Sequence, residues 1–206
     1  MENFSENYHE EKGIDKNEEI FQKYIEDLEL TPEDFDKKIL DIGAGNAGFA
    51  KWAKEHNVSS EIYSLDTRDE MEEKEKSVVG TADELPFKDE SFDLIISACA
   101  VPNVTEVDQV EKTLLEAIRV VKPGGEIRLA KVFEGERYES QRIKKQELNK
   151  VLEKLKDMNL SVEKIRQPQG DLYEYDGHIK TDRLLSESYL IKIKKPNNLL
   201  NKKPEA

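Results

Sequence analysis

Apolar residues follow two rhythms along this chain, and the alternation between them predicts its architecture. Short apolar runs around 39–42, 61–66, 78–79, 94–97 and 126–132 read as strands, since a strand covered on both faces needs no polar alternation. Between these runs the apolar residues recur every three or four positions. Ile20, Tyr24 and Leu28, with Phe21 and Ile25 beside them, predict a helix over about 18–30. Phe49, Ala50, Trp52 and Ala53 predict another over about 47–57, and Val107, Val110, Leu114, Ala117, Ile118 and Val121 a third over about 107–121. Lys122-Pro123-Gly124-Gly125 stops the third. The dense charge run from Arg68 to Lys76 reads as a short solvated helix with no chemistry attached.

Strand and helix in repeated alternation predict an α/β fold with a doubly wound, mostly parallel sheet. The end of the chain breaks the rhythm. Leu148, Val151, Leu152, Leu155 and Met158 mark a helix over about 140–158, and 160–165 reads as a sixth strand. A loop follows over 166–187, and then 188–194 reads as a strand with no helix before it, which predicts antiparallel pairing. The polar ends, 1–17 and 196–206, lack the apolar content to order themselves, leaving 18–195 as the domain. No internal repeat is present.

Composition narrows the function classes. The 206 residues suffice for one domain with a sizeable core, and the net charge of −13 argues against a protein that grips nucleic-acid backbone. A single cysteine, Cys99, rules out an internal disulfide, and no CxxC metal spacing occurs, so no metal site is expected. The start is polar and acidic, unlike a secretory signal, and no apolar run has bilayer length. A soluble cytoplasmic protein is the expectation.

Candidate chemistry gathers where the first strand ends. Asp41 interrupts its apolar run, where an acid has no reason for burial unless something binds it. Gly43-x-Gly45-x-x-Gly48 then runs into a helical pattern, a turn that brings backbone N–H groups to the carboxyl edge of the sheet. By spacing alone this suits any nucleoside ligand. Asp66 ends the second strand, eighteen residues beyond Gly48, placed to accept hydrogen bonds from both ribose hydroxyls. The alternative for Asp66 is a cap on a following helix. As a ribose contact, it is expected to contribute little to the fold.

Taken together these segments resemble the class I S-adenosylmethionine-dependent methyltransferases, most closely the small-molecule and quinone-type enzymes. The resemblance rests on Leu40-Asp41-Ile42-Gly43-Ala44-Gly45, Asp66, Ala82 with Leu85-Pro86-Phe87, Ser91-Phe92-Asp93 and Val121-Lys122-Pro123-Gly124-Gly125, five segments in family order. It implies a Rossmann-like, seven-stranded sheet with the last strand antiparallel, and S-adenosylmethionine as cofactor. It also implies a binding set of Asp41, Gly43, Ala44, Gly45, Asp66, Thr67, Thr81, Ala82, Asp83, Ser97 and Ala98. Within that set Asp66 would hold the ribose, Thr81 to Asp83 would flank the adenine, and Ser97 and Ala98, with Cys99, would border the sulfonium.

Two departures from the family pattern stand out: Ala47 occupies the usual place of a third glycine, and Thr81 that of an acid beside the adenine. No catalytic residue is named. His9, His178, Tyr8, Tyr173 and Tyr175 are candidate bases, each also read as an ordinary surface or packing residue, and Cys99 is read as a small core residue. Two rivals remain: a nicotinamide-dependent oxidoreductase, and a cofactor-binding domain that regulates a partner without catalysis.

Overall fold

All four residues of strand β1 (Ile39–Ile42) are buried, and their alternation sets the layers of the molecule. The computed structural model describes residues 16–59, 61–103, 105–134, 139–168 and 187–197. Ile39 points to one face of the sheet, where it meets Phe21 and Leu28 of α1 (Lys16–Leu28) and Phe49, Ala50 and Ala53 of α2 (Gly48–Glu55). Leu40 and Ile42 point to the other, toward Leu114, Ala117 and Ile118 of α3 (Val110–Val120) and Leu148, Val151 and Leu155 of α4 (Glu139–Asp157). Both faces are therefore covered, as a parallel sheet requires.

The remaining strands are β2 (Ile62–Asp66), β3 (Ser77–Val79), β4 (Phe92–Ala98), β5 (Val121–Glu134), β6 (Ser161–Gln167) and β7 (Glu187–Lys194). Among the described residues they form one sheet in the order β3-β2-β1-β4-β5-β7-β6. The first five are parallel, while β7 pairs antiparallel with both β5 and β6. The expected doubly wound sheet with an antiparallel last strand is thus present. Strand order reverses at β1 and β4, which leaves a crevice above their carboxyl ends.

Four local expectations need correction. Residues 68–76 form bends and a turn rather than a helix. With Met71 as its buried apolar residue, the segment folds back on α2 through Lys51–Glu72, Lys54–Glu73 and Lys54–Glu75 ion pairs. The third helix is preceded by a 3-10 turn at Val107–Gln109, so α3 starts later than its apolar pattern. Lys122 to Gly125 lie within β5 as an irregularity: pairing runs from Phe92–Val121 directly to Leu94–Glu126. The helix at the N-terminal end begins at Lys16, two residues before its expected start, and buries Asn17. The expected loose ends fall largely on 1–15 and 198–206, outside the described residues, as does most of the 166–187 loop.

Helix α1 is fastened to the sheet at its C-terminal end. Arg128, on β5, donates from Nη1 to the carbonyls of Leu28 (3.3 Å) and Glu29 (2.9 Å) and to Oδ2 of Asp34 (2.9 Å). Its guanidinium therefore takes up carbonyls that the helix itself leaves unpaired. Farther along α1, Phe21 packs on Phe49 and Trp52 at centroid distances of 5.3 and 4.1 Å. Burial of that ring alone is worth about 2–3 kcal/mol. Among the described residues, no helix is long and apolar enough to cross a membrane.

Candidate functional site

The crevice at the carboxyl ends of β1 and β4 opens into a cavity of about 530 Å³, well within the range of about 300–1,000 Å³ typical of small-molecule sites. Its floor is a set of loops stitched to one another. Gly43 N and Ala44 N both donate to the Leu65 carbonyl, at 2.7 and 3.1 Å, joining the glycine turn to β2. The Ser97 hydroxyl donates to the Ile42 carbonyl (2.8 Å) and accepts from Val101 N (3.0 Å), joining the same turn to the loop after β4.

Glycine is required at the centre of this floor. Gly43 has φ +78°, and a Cβ built on it would lie 2.3 Å from the Cβ of Ala100. The turn and the β4 loop meet where a side chain would otherwise stand, so a ligand can lie directly on backbone. Ala47 explains its own oddity. Its φ is +61°, a left-handed conformation in which glycine is at ease and alanine is strained by roughly 1 kcal/mol.

Asp66 sits at the tip of β2 and lines the cavity. Its Oδ2 accepts from Gly45 N at 2.8 Å, and its Oδ1 from Arg68 N and Nε at 3.0 and 3.3 Å. No helix follows β2, which removes the cap alternative. The expectation that Asp66 contributes little to the fold is also corrected: it is buried and anchors the glycine turn. A carboxylate has about four acceptor positions. The longest of its three bonds comes from the half-exposed Arg68 side chain, which a ligand diol can displace.

Of the binding set implied by the resemblance, Gly43, Gly45, Asp66, Thr67, Thr81, Ala82, Asp83 and Ala98 line the cavity. Asp41, Ala44 and Ser97 do not. Ala44 is packed into the turn, and Ser97 spends its hydroxyl on the two loops described above. Asp41 lies fully buried beneath the turn, beside Ser64 in the register of β1 and β2. Neither carboxylate oxygen meets hydrogen-bond geometry with any partner. Burial pushes its pKa up to about 8, tempered by the nearby Tyr24 hydroxyl and reinforced by the charge of Asp66. The Thr81 hydroxyl bonds the Asp83 carboxylate, and with Lys112 it holds that group below the usual carboxylate range.

One wall went unassigned in the sequence. Ile20, Lys23, Tyr24 and Asp27 of α1 face the cavity, as do Gln109 and Thr113 at the start of α3, and Phe133 of β5. The spacing of the four α1 residues marks one helical face, a pattern open to reading as ordinary core packing. Cys99, read as a core residue, is half-buried and also lines the cavity. The expected candidate bases Tyr8, His9, Tyr173, Tyr175 and His178 lie outside the described residues.

The donor set suits an adenosyl cofactor: a carboxylate at the β2 tip, whose Arg68 partner is displaceable, beside a side-chain-free glycine floor. Comparisons with known proteins agree. A methyltransferase-domain family model matches residues 40–129. The ubiquinone/menaquinone biosynthesis C-methyltransferase UbiE of Idiomarina loihiensis is 32% identical over 104 residues, 44% of this chain and 40% of that protein. The mitochondrial 2-methoxy-6-polyprenyl-1,4-benzoquinol methylase of Mus musculus is 54% identical over 48 residues, 23% of this chain and 14% of that protein. The chain thus spans less than half the length of these curated relatives. A solved S-adenosylmethionine-dependent methyltransferase from Methanosarcina mazei superposes with a TM-score of 0.57 at 18% identity, over 87% of this chain and 98% of the other.

Proposed function

We propose that this chain is a class I S-adenosylmethionine-dependent methyltransferase and transfers the cofactor's methyl group to a small-molecule acceptor. The observation that carries the reading is the pairing of Asp66 with the Gly43–Gly45 turn around one cavity. When bound, S-adenosylmethionine supplies a methyl group on a positively charged sulfur, ready for displacement by a nucleophile. Asp66 receives the ribose hydroxyls in place of Arg68. Because β2 lies between β3 and β1, a nucleoside seated on Asp66 extends its base toward the loop after β3, at Thr81 to Asp83. Its other arm then crosses the turn after β1 toward Ala98 and Cys99.

The protein's own contribution is position and exclusion of water. Holding acceptor and methyl in attack geometry supplies much of the acceleration in such a displacement, and charge is lost from sulfur as it proceeds, which a dry pocket favours. Ile20, Tyr24 and Phe133 wall the cavity and are the surfaces we assign to the acceptor. Cytoplasmic residence is part of the same reading, supported by the lone cysteine and the acidic composition.

Titration calorimetry tests the cofactor, with S-adenosylhomocysteine expected to bind and NAD expected not to. Tight NAD binding without adenosyl binding would return the oxidoreductase reading. Formation of S-adenosylhomocysteine from S-adenosylmethionine with any acceptor, quinols being the first to try, would separate an enzyme from a regulator that only holds cofactor.

A further inference from the structure

Among the described residues, buried side-chain polar atoms without a hydrogen-bond partner occur on Asp41, Ser64 and Thr113. Of these, Thr113 is the one that lines the cavity. It sits on α3, 1% exposed, with its hydroxyl unbonded. A helical threonine ordinarily turns that hydroxyl onto the carbonyl one turn back. An unsatisfied hydroxyl kept dry inside a fold is destabilising, so its presence at a ligand cavity calls for a ligand.

The surroundings say which part of a ligand. The residues flanking Thr113 on α3 hold the loop that follows β3. Lys112 Nζ donates to Asp83 Oδ2 at 3.2 Å, and Glu116 Oε2 accepts from Leu85 N at 2.9 Å. Thr113, one turn before Glu116, faces the same end of the cavity. On the loop itself Thr81 bonds Asp83 and Asp83 bonds Lys112, so these side chains are already engaged. Thr113 alone among these keeps its full hydrogen-bonding capacity.

We propose that the Thr113 hydroxyl is a specificity-determining contact to the polar edge of the bound nucleoside's base. This rests on the cofactor reading above. The hydroxyl both donates and accepts, so it matches either an amine or a ring nitrogen of a purine.

The test compares Thr113→Val, which removes the hydroxyl at nearly constant shape, with Thr113→Ser, which keeps it. S-adenosylhomocysteine affinity is measured by calorimetry, and the ligand-free melting midpoint by calorimetric scan. Thr113→Val should bind about five- to tenfold more weakly, and Thr113→Ser within about threefold of wild type. The ligand-free Val variant should melt at or above the wild-type midpoint, by up to about 2–4 °C, because a partnerless buried hydroxyl has gone. A Val variant that binds within twofold of wild type overturns the contact. So does a ligand-free Val variant that melts several degrees lower, which would mean the hydroxyl serves the fold. Thr113→Ala gives the same affinity reading if the Val variant does not fold. A wild type that binds no S-adenosylhomocysteine overturns the cofactor reading, and the base contact with it; weak binding by Val alone leaves both standing.

Discussion

Asp66 Oδ2 accepts the backbone amide of Gly45 at 2.8 Å, and so ties the tip of β2 to the glycine turn after β1. The bond makes Asp66 at once a ligand-facing carboxylate and a support for the floor the ligand lies on. Asp66→Ala should therefore weaken S-adenosylhomocysteine binding at least tenfold, at roughly 1.4 kcal/mol per decade. It should also lower stability by roughly 2–3 kcal/mol through the lost charged bonds to the buried Gly45 amide and the part-buried Arg68 amide. Calorimetry and denaturant melts on this variant check both. Unchanged stability would mean the Gly45 bond contributes nothing in solution.

Gly43 and Ala100 meet so closely that a substitution at one should be felt through the other. Gly43→Ala brings two methyl groups to 2.3 Å and forces a side chain onto a backbone with φ +78°. A loss of roughly 2–4 kcal/mol is expected from the clash and the strained backbone together. Adding Ala100→Gly should recover the clash and leave the backbone strain, giving a positive coupling in a double-mutant cycle. Strict additivity in urea melts would refute the contact.

Asp41 gives stability a distinctive pH dependence. Between the ordinary carboxyl value of 3.8 and about 8, the folded chain holds a proton that the unfolded chain has released. Stability attributable to this group is therefore fully present below about 4 and declines as pH rises toward 8. Asp41→Asn removes the titration, so its advantage over wild type should grow across that window, to the order of 4 kcal/mol at pH 7. Melts at pH 5, 6, 7 and 8 provide the measurement. A constant offset between the two proteins would place the Asp41 titration outside this range.

Arg128 decides how firmly α1 holds its place as a cavity wall. Arg128→Met leaves Asp34 buried with Lys37 as its remaining cation and frees the Leu28 and Glu29 carbonyls. A cost of about 3–5 kcal/mol follows from breaking such a buried pair. Arg128→Lys should not restore it, because a single ammonium cannot reproduce the planar fork that reaches Asp34, the Leu28 and Glu29 carbonyls and Glu126 together. Amide exchange should rise across α1 in both variants. Protection of α1 equal to wild type would show that the Phe21 cluster suffices.

The order of strands and helices, the antiparallel last strand and the glycine turn were all legible in the sequence. Each depends on a local rhythm: apolar runs for strands covered on both faces, three- and four-residue spacing for helices, glycine where φ is positive. The place of Asp66 at a strand tip was legible too, while Thr67, Thr81, Ala82, Asp83 and Ala98 came from the family resemblance and share the cavity lining with it. Tertiary structure decided the rest, because the deciding partners are distant in sequence. Residues 68–76 lie against α2 through ion pairs with Lys51 and Lys54, which no local pattern reveals. Asp66 became part of the fold through an amide 21 residues away. Ser97 turned inward to a carbonyl 55 residues away. Whether Tyr24 or Thr113 faces core or cavity depends on how α1 and α3 are rotated against the sheet. Periodicity names the face of a helix, and only packing names what that face meets.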